Sequence, residues 1–146
     1  MYILDTNVIS ELRKGRKTHQ SVRKWAERLP SASLYISVIS VLELEIGILL
    51  ISRNKDRRDK EQGAILRAWM DRHVLPTFSG RILAIDTAVA QRCATLHVPA
   101  LHVPNPRSDR DALIAATALV HGLTVATRNV ADFERTGVGV LNPWDA

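Results

Sequence analysis

The sequence has little of several features on which common protein classes depend. Its 146 residues include one cysteine, Cys93, so an internal disulfide is excluded and a reducing compartment is favoured. No apolar run approaches the roughly 20 residues that a membrane-spanning helix needs, and Glu43 and Glu45 interrupt the longest one. Met1 leads straight into apolar residues without a basic segment. We therefore expect no signal peptide, no membrane association and a cytoplasmic protein.

Patterns for zinc sites, phosphate-binding loops and serine hydrolases are also missing. The five histidines show no close pairing of the kind that zinc sites use, and the cysteine stands alone. No glycine-rich phosphate loop is present, and no Ser/His/Asp triad can be assigned from spacing. Basic residues exceed acidic ones, 20 Lys and Arg against 15 Asp and Glu, and the net charge is +5. This excess favours a polyanionic partner.

The first ten residues predict a strand, a carboxylate and a helix in direct succession. Residues 2–4 form a short apolar run, as in strands that are buried on both faces of a parallel sheet. Asp5, Thr6 and Asn7 end this run, and Thr6 and Asn7 can both cap the helix that the following apolar stripe predicts. In open α/β sheets the ligand crevice lies outside the carboxyl ends of the strands. Asp5 would lie in such a crevice, or it would only stabilise the helix N-terminus.

Strands and helices alternate along the rest of the chain. Short apolar strands are predicted at 34–36, 81–85 and 123–126, with a further edge strand at 138–141, and amphipathic helices lie between them. The helix before residue 108 is expected to end in a loop marked by prolines at positions 99, 104 and 106. The alternation predicts one α/β domain over residues 1–146, with a mainly parallel sheet of four to five strands and helices on both faces.

The most apolar predicted helix, over residues 37–50, carries two different stripes. The stripe that we expect to lie in the core comprises Ile39, Leu42, Ile46 and Leu49. A second stripe contains only polar or small residues, Ser40, Glu43 and Gly47, so Glu43 faces a gap. A charge on so apolar a helix is costly unless it is paired or bound to a metal. Glu43 is therefore a second candidate ligand, with a rim ion pair to an arginine as the alternative.

Three further polar side chains lie at strand ends or helix starts. Asp111 follows Ser108 at capping-box spacing, so a purely structural role is the alternative for Asp111. Asn129 comes just after the strand at 123–126, and Asp132 lies three residues beyond it. If the strand ends converge, these carboxylates repel one another unless a cation neutralises them. Oxygen ligands favour Mg²⁺ or Mn²⁺, which suits the hydrolysis of phosphodiesters.

Several motifs along the chain together resemble one known family. They are Ile-Leu-Asp5-Thr-Asn-Val-Ile-Ser-Glu, Glu43-Leu-x-x-Gly47, Asp111-x-x-Ile-Ala-Ala-Thr-Ala, Thr-Val-Ala-Thr127-Arg-Asn129-x-x-Asp132-Phe and Asn142-Pro-Trp. In this order and over the whole chain, they resemble PIN-domain endoribonucleases, specifically VapC-type toxins of the subgroup that includes the FitB proteins. The resemblance implies a three-layer α/β/α fold, Mg²⁺-dependent cleavage of RNA and a homodimer. It also implies a small antitoxin that inhibits the toxin and binds operator DNA.

The resemblance also implies roles for individual residues. By position, Asp5, Glu43 and Asp111 take the first three acidic places and would hold the metal ion. Some members of the family have Asp at the fourth place, where this chain has Asn129, so either Asn129 or Asp132 would position the attacking water. Further candidates for contacts to RNA or for orienting ligands are Thr6, Asn7, Asp109, Arg110 and Arg128.

Two other functions agree with parts of the same sequence. The first is a nucleic-acid-binding regulatory partner without catalysis, in which the acids only cap helices. The basic surface agrees with this function, but the stripe of Ser40, Glu43 and Gly47 counts against it. The second is a phosphatase with Asp5 as nucleophile, because such enzymes also begin with a strand followed by Asp and Thr. They have a second Asp, however, at the position of Asn7. We therefore expect a Mg²⁺-dependent endoribonuclease toxin that a cognate antitoxin neutralises.

Overall fold

A sheet of five parallel strands runs through the centre of the molecule. The computed structural model of the protein describes residues 1–100 and 108–146. The strands are β1 (Tyr2–Leu4), β2 (Leu34–Ser37), β3 (Ile82–Leu83), β4 (Thr124–Ala126) and β5 (Val140–Leu141). Their order is β3-β2-β1-β4-β5, and every neighbouring pair is parallel. The prediction of a mainly parallel sheet of four to five strands is confirmed.

Helices connect the strands. The α-helices in the described part of the chain are α1 (Thr6–Leu12), α2 (Gln20–Glu27), α3 (Val38–Ser52), α4 (Arg57–Trp69), α5 (Leu75–Thr77), α6 (Thr87–Ala100) and α7 (Asp109–His121). Two short 3₁₀ helices, Val130–Asp132 and Glu134–Thr136, lie between β4 and β5. A π-helical turn, Met70–Val74, joins α4 to α5. Of the prolines expected to mark a loop, Pro99 lies within the last turn of α6, and positions 104 and 106 lie outside the described residues. None of the described helices is long and apolar enough to cross a membrane.

The helices cover both faces of the sheet, because successive side chains of a strand point to opposite sides. On one face Ile3 packs in a cluster with residues of α6 and α7, including Ile114. On the other face Leu4 packs with residues of α1, α2 and α3, including Val8 and Leu44. The three layers are the α/β/α arrangement that was expected.

The side of α3 that faces the core differs from the predicted one. Helix α3 buries Ile39, Ser40, Leu44 and Ile48. The prediction that Leu42 and Leu49 lie in the core is wrong, because their side chains are 46% and 60% exposed. The helix is apolar on almost every side, so spacing alone does not select the buried one. Contacts to neighbouring helices determine which side of α3 is buried. One of them is the ion pair of Glu45 with Arg67 on α4 at 2.6 Å.

Candidate active site

Asp5 lies at the carboxyl end of β1, opposite Thr127 at the end of β4. The register pairs Leu4 with Ala126, so the next residue of each strand is a neighbour across the edge of the sheet. The Thr127 hydroxyl donates a hydrogen bond to Oδ2 of Asp5 at 2.7 Å. Thr127 is completely buried, and Asp5 is only 6% exposed. The two central strands thus bring a carboxylate and a hydroxyl together in a buried position.

The two residues that follow Asp5 along the chain provide further contacts to its carboxylate. The Thr6 backbone N–H donates to Oδ1 of Asp5 at 2.8 Å, and the Asn7 side-chain amide donates to Oδ2 at 3.3 Å. Burial raises the pKa of Asp5 above its ordinary value, and the hydrogen bonds from Thr127 and Thr6 lower it. The charges of Glu43 and Asp132 raise it further. Asp5 is therefore a restrained carboxylate with other acids close by.

Glu43 on α3 reaches Asp5 through Thr6. The Thr6 hydroxyl donates to Oε1 of Glu43 at 2.8 Å and lies 3.1 Å from the hydroxyl of the completely buried Ser40. The space beside the other stripe residue, Gly47, is open, since a Cβ atom there would meet no atom within 4 Å. The alternative rim contact is also present, because Oε2 of Glu43 lies 3.9 Å from Nη1 of Arg110. Two members of the stripe predicted from the sequence, Ser40 and Glu43, thus contact Thr6, the residue next to Asp5.

Asp111 and Asp132 belong to the same site through their charges. Asp111 lies in the first turn of α7, where its backbone N–H donates to the hydroxyl of Ser108 at 3.1 Å. Burial raises the pKa of Asp111, the charges of Asp5 and Asp132 raise it further, and the contact with Ser108 lowers it. Asp132 is exposed, yet its charge acts on the buried Asp5 and on the partly buried Asp111. The charges of Glu43 and Asp132 thus act on Asp5, and those of Asp5 and Asp132 act on Asp111.

The remaining sequence candidates lie at the rim or farther away. Asn129 is exposed, and its backbone N–H donates to the Thr127 hydroxyl at 3.0 Å. Asp109 faces α6, where its Oδ1 lies 3.4 Å from Nε2 of His97. The guanidinium of Arg128 lies over the ring of Trp144. Of these side chains, none is described in contact with the carboxylate of Asp5.

Comparison with known proteins identifies the family to which this fold and site belong. A profile of the PIN domain matches residues 2–139. The chain belongs to the PIN domain family. It is 36% identical to VapC ribonuclease Y4jK of Sinorhizobium fredii and 37% identical to Toxin FitB of Neisseria gonorrhoeae, in each case over 99% of both chains. The solved structure of FitAB bound to an IR36 DNA fragment superposes with a TM-score of 0.84 at 36% identity, covering 99% of this chain and 96% of that one.

PIN nucleases are metal-dependent in general, and the acids of this PIN domain offer only oxygen ligands. Among the described residues, no group of three or more His, Cys, Asp or Glu side chains is close enough to hold an ion alone. Mg²⁺ does not need such a group, since one or two carboxylates usually bind it together with water and substrate phosphates. Burial and neighbouring acids raise the pKa of Asp5 and Asp111, and a bound cation would oppose both effects. The residues present thus suit a hard divalent cation.

Thr127 is the site residue of this PIN domain to which the sequence interpretation gave no role. Its hydroxyl contacts Asp5 and the backbone of Asn129. A signal was available, because Thr127 follows β4 just as Asp5 follows β1. The contact depends on β1 and β4 being neighbours in the sheet, which the order of the strands along the chain does not state.

Proposed function

We propose that this PIN domain, taken as a single domain over residues 1–146, is a metal-dependent endoribonuclease toxin that hydrolyses RNA phosphodiester bonds. The observation that carries the proposal is the buried carboxylate of Asp5, which Thr6 and Thr127 restrain at the edge of the sheet beside three other acids. The similarity to a protein named VapC ribonuclease and to one named Toxin FitB supports it.

In this proposal Asp5, Glu43 and Asp111 supply the protein ligands of Mg²⁺, one or two of them directly and the others through bound water, with Mn²⁺ as the alternative ion. The ion, when bound, lowers the pKa of a water molecule and neutralises charge on the attacked phosphate. Thr6 and Thr127 keep the Asp5 oxygens in place before substrate arrives, which avoids reorganisation during the reaction. Asp132, exposed at the rim, can accept the proton of the attacking water, whereas Asn129 can only orient that water.

Cations around the acids would bind the RNA backbone. Arg110 and Arg128 are both exposed and flank the proposed ligands Asp111 and Asp5 from two elements. The net charge of +5 attracts a polyanion to the molecule as a whole. The candidates Thr6 and Asn7 have inward roles, because both hydrogen-bond to acids of the site. Asp109 is not included in the site, since it faces His97.

We also propose macromolecular partners for the chain besides its RNA substrate. These are a cognate antitoxin that neutralises the toxin, operator DNA that is bound through this antitoxin, and a second copy of the chain. The solved structure of FitAB bound to a DNA fragment supports the first two. Exposed leucines on α3, Leu42 and Leu49, support the third. A phosphatase with Asp5 as nucleophile is not proposed, because Asn7, whose amide donates to Asp5 and cannot act as an acid or base, stands where such enzymes have a second Asp.

Cleavage of a labelled total-RNA pool by purified, antitoxin-free protein tests the proposal. We expect discrete products with Mg²⁺, none when EDTA is added, and none from Asp5→Asn, which removes one charge at the centre of the site. Circular dichroism must show that the variant is folded. Products that persist in EDTA, or full activity of Asp5→Asn, would contradict the proposal. RNA binding without cleavage by the folded wild-type protein would favour the regulatory partner without catalysis.

A further inference from the structure

Arg128 and Trp144 form a stacked pair just beyond the carboxyl ends of β4 and β5. The central carbon of the Arg128 guanidinium lies 5.2 Å from the centre of the Trp144 ring. Arg128 is exposed, whereas Trp144 is partly buried and packs against the core on the α1 side of the sheet. Attraction between a cation and the face of an aromatic ring favours this arrangement. The ring therefore restrains a side chain that would otherwise be free in solvent.

The sheet explains why these two residues meet. Strands β4 and β5 are parallel neighbours, with Ala126 opposite Leu141, so the segments that follow them leave the sheet side by side. The segment after β5 is itself ordered by hydrogen bonds, since the Trp144 backbone N–H donates to the Asn142 side chain at 2.9 Å. Trp144 is thus fixed by a turn as well as by packing, and it offers Arg128 a rigid surface.

The pair is also connected to the proposed catalytic site. The backbone N–H of Arg128 donates to Oδ1 of Asn7 at 3.3 Å, and the amide of Asn7 donates to Asp5. Arg110, the other flanking cation, lies 3.9 Å from a carboxylate oxygen of Glu43. Within residues 1–100 and 108–146, no carboxylate lies at ion-pair distance from Arg128. The charge of Arg128 is therefore available to a ligand that approaches the site.

We propose that the stacked pair of Arg128 and Trp144 is a phosphate-binding element for RNA, adjacent to the acids and separate from them. The proposal rests on the ribonuclease function proposed above. A guanidinium presents a planar fork of donors that matches two phosphate oxygens. Because Trp144 already orients this fork, less side-chain freedom is lost when the phosphate binds. A phosphate next to the cleaved one would be held here, which offsets the repulsion of the RNA backbone by the acids.

Salt-dependent binding of an unstructured single-stranded RNA oligonucleotide, measured in EDTA, tests the proposal. Each phosphate contact on a single strand contributes about 0.7 to the slope of log K against log salt concentration. We expect Arg128→Ala to reduce this slope by about 0.7 and to lower the affinity at low salt. Arg128→Lys should keep the slope and lose part of the affinity. Trp144→Leu should do the same, because the charge remains but its orientation is lost.

The matched control is Arg28→Ala. Arg28 is exposed as well, but it lies between the end of α2 and the start of β2, at the opposite edge of the sheet from the acids. An unchanged slope in Arg128→Ala would overturn the proposal, even if the affinity of that variant were lower. The same reduction of the slope in Arg28→Ala would overturn it as well. So would the absence of RNA binding by the wild-type protein.

Cleavage of RNA with Mg²⁺ is measured in parallel so that the two proposals can fail separately. If the wild-type protein cuts RNA but Arg128→Ala keeps the wild-type slope, only the phosphate-binding element is wrong. If the slope falls as expected but the wild-type protein does not cut RNA, only the ribonuclease function is wrong. Because Trp144 packs against the core, Trp144→Leu is interpreted only after thermal unfolding shows that it is folded. Arg128→Ala and Arg128→Lys decide the question without it.

Discussion

Single residues decide how a charge can remain in the interior of this protein. Burial raises the pKa of Asp5, whereas the hydrogen bonds from Thr127 and Thr6 lower it because they favour the ionised form. Of the groups that lower the pKa of Asp5, the Thr127 hydroxyl can be removed with the least change in the shape of the side chain. It is completely buried, it donates to Asp5 at 2.7 Å, and valine has almost the same shape as threonine. Thr127 therefore stabilises the ionised state on which metal binding would depend.

The variant Thr127→Val tests this role. Above the folded-state pKa of Asp5, we expect it to lower the free energy of unfolding by about 1–3 kcal/mol, because a buried acceptor loses its donor. As the pH falls through that pKa, which lies above the ordinary value of 3.8, the difference should shrink, since the neutral carboxyl depends less on the donor. It should not vanish, because the backbone N–H of Asn129 also loses its acceptor. Urea unfolding at several pH values measures both effects.

Thr127→Ser is the control for this prediction. Serine keeps the hydroxyl and loses only a methyl group, so the pH dependence of unfolding should match that of the wild-type protein. A difference between Thr127→Val and wild type that is the same at every pH would mean that the hydroxyl does not favour ionised Asp5.

Two glycines in the packed pair of helices α3 and α4 have opposite roles. A Cβ atom at Gly63 on α4 would lie only 3.1 Å from the backbone Cα of Ser52 at the end of α3. A Cβ atom at Gly47 on α3 would meet no atom within 4 Å. Gly63 therefore allows the two helices to approach closely, whereas Gly47 has no such function in packing.

The same substitution at both glycines should change stability in opposite directions. Gly63→Ala should lower the free energy of unfolding by about 1–3 kcal/mol, because the helices must move apart. Gly47→Ala should raise it by about 0.5–1 kcal/mol, because alanine loses less backbone entropy in a helix. Thermal unfolding of the two variants measures both changes. A rise of the melting temperature in both variants would show that Gly63 is not required for close packing, and a fall in both would contradict the prediction for Gly47.

Elements and their order could be predicted from the sequence because the strands and helix starts have strong local signals. Asp5 and Asp111 each lie at a helix start, and capping residues mark such positions within a few residues of chain. The stripe of Ser40, Glu43 and Gly47 could also be predicted, because three polar or small residues recur at helical spacing on one side of a mostly apolar helix. These features depend only on neighbours along the chain.

The features that sequence interpretation missed depend on distant parts of the chain. The contact of Thr127 with Asp5 joins residues 122 positions apart, and it requires that β1 and β4 be neighbours in a known register. Asp109 and Asp111 lie in the same helical turn, so their spacing did not reveal that Asp109 faces His97 on α6. The sequence predicts Leu42 in the core because apolar spacing identifies a side of a helix that is covered. It does not distinguish cover by the rest of the chain from cover by a partner.

At the scale of the whole molecule, one side of α3 presents leucines to solvent that a partner could cover. Leu42 and Leu49 on α3 are 46% and 60% exposed, and their separation of seven residues puts them on one side of the helix. Leu50 on α3 and Ile65 on α4 are 54% and 58% exposed. Exposed apolar residues that share one side of a helix, as Leu42 and Leu49 do, mark interaction surfaces more often than isolated ones do. A second copy of the chain is the proposed partner for this surface.

The double substitution of Leu42 and Leu49 by glutamate tests the homodimer. Burial of one leucine contributes about 1.5–3 kcal/mol, so the loss of both from each protomer should raise the Kd of the dimer by at least about 100-fold. Sedimentation velocity should give two copies for the wild-type protein and one for the variant, with both folded.

The control is Val120→Glu, which changes a 38% exposed residue of α7, a helix that packs on the other face of the sheet. If Val120→Glu also separates the protomers, or if the double variant remains a dimer, α3 does not form the dimer interface. If the wild-type protein sediments as one copy, the antitoxin becomes the better candidate to cover these leucines.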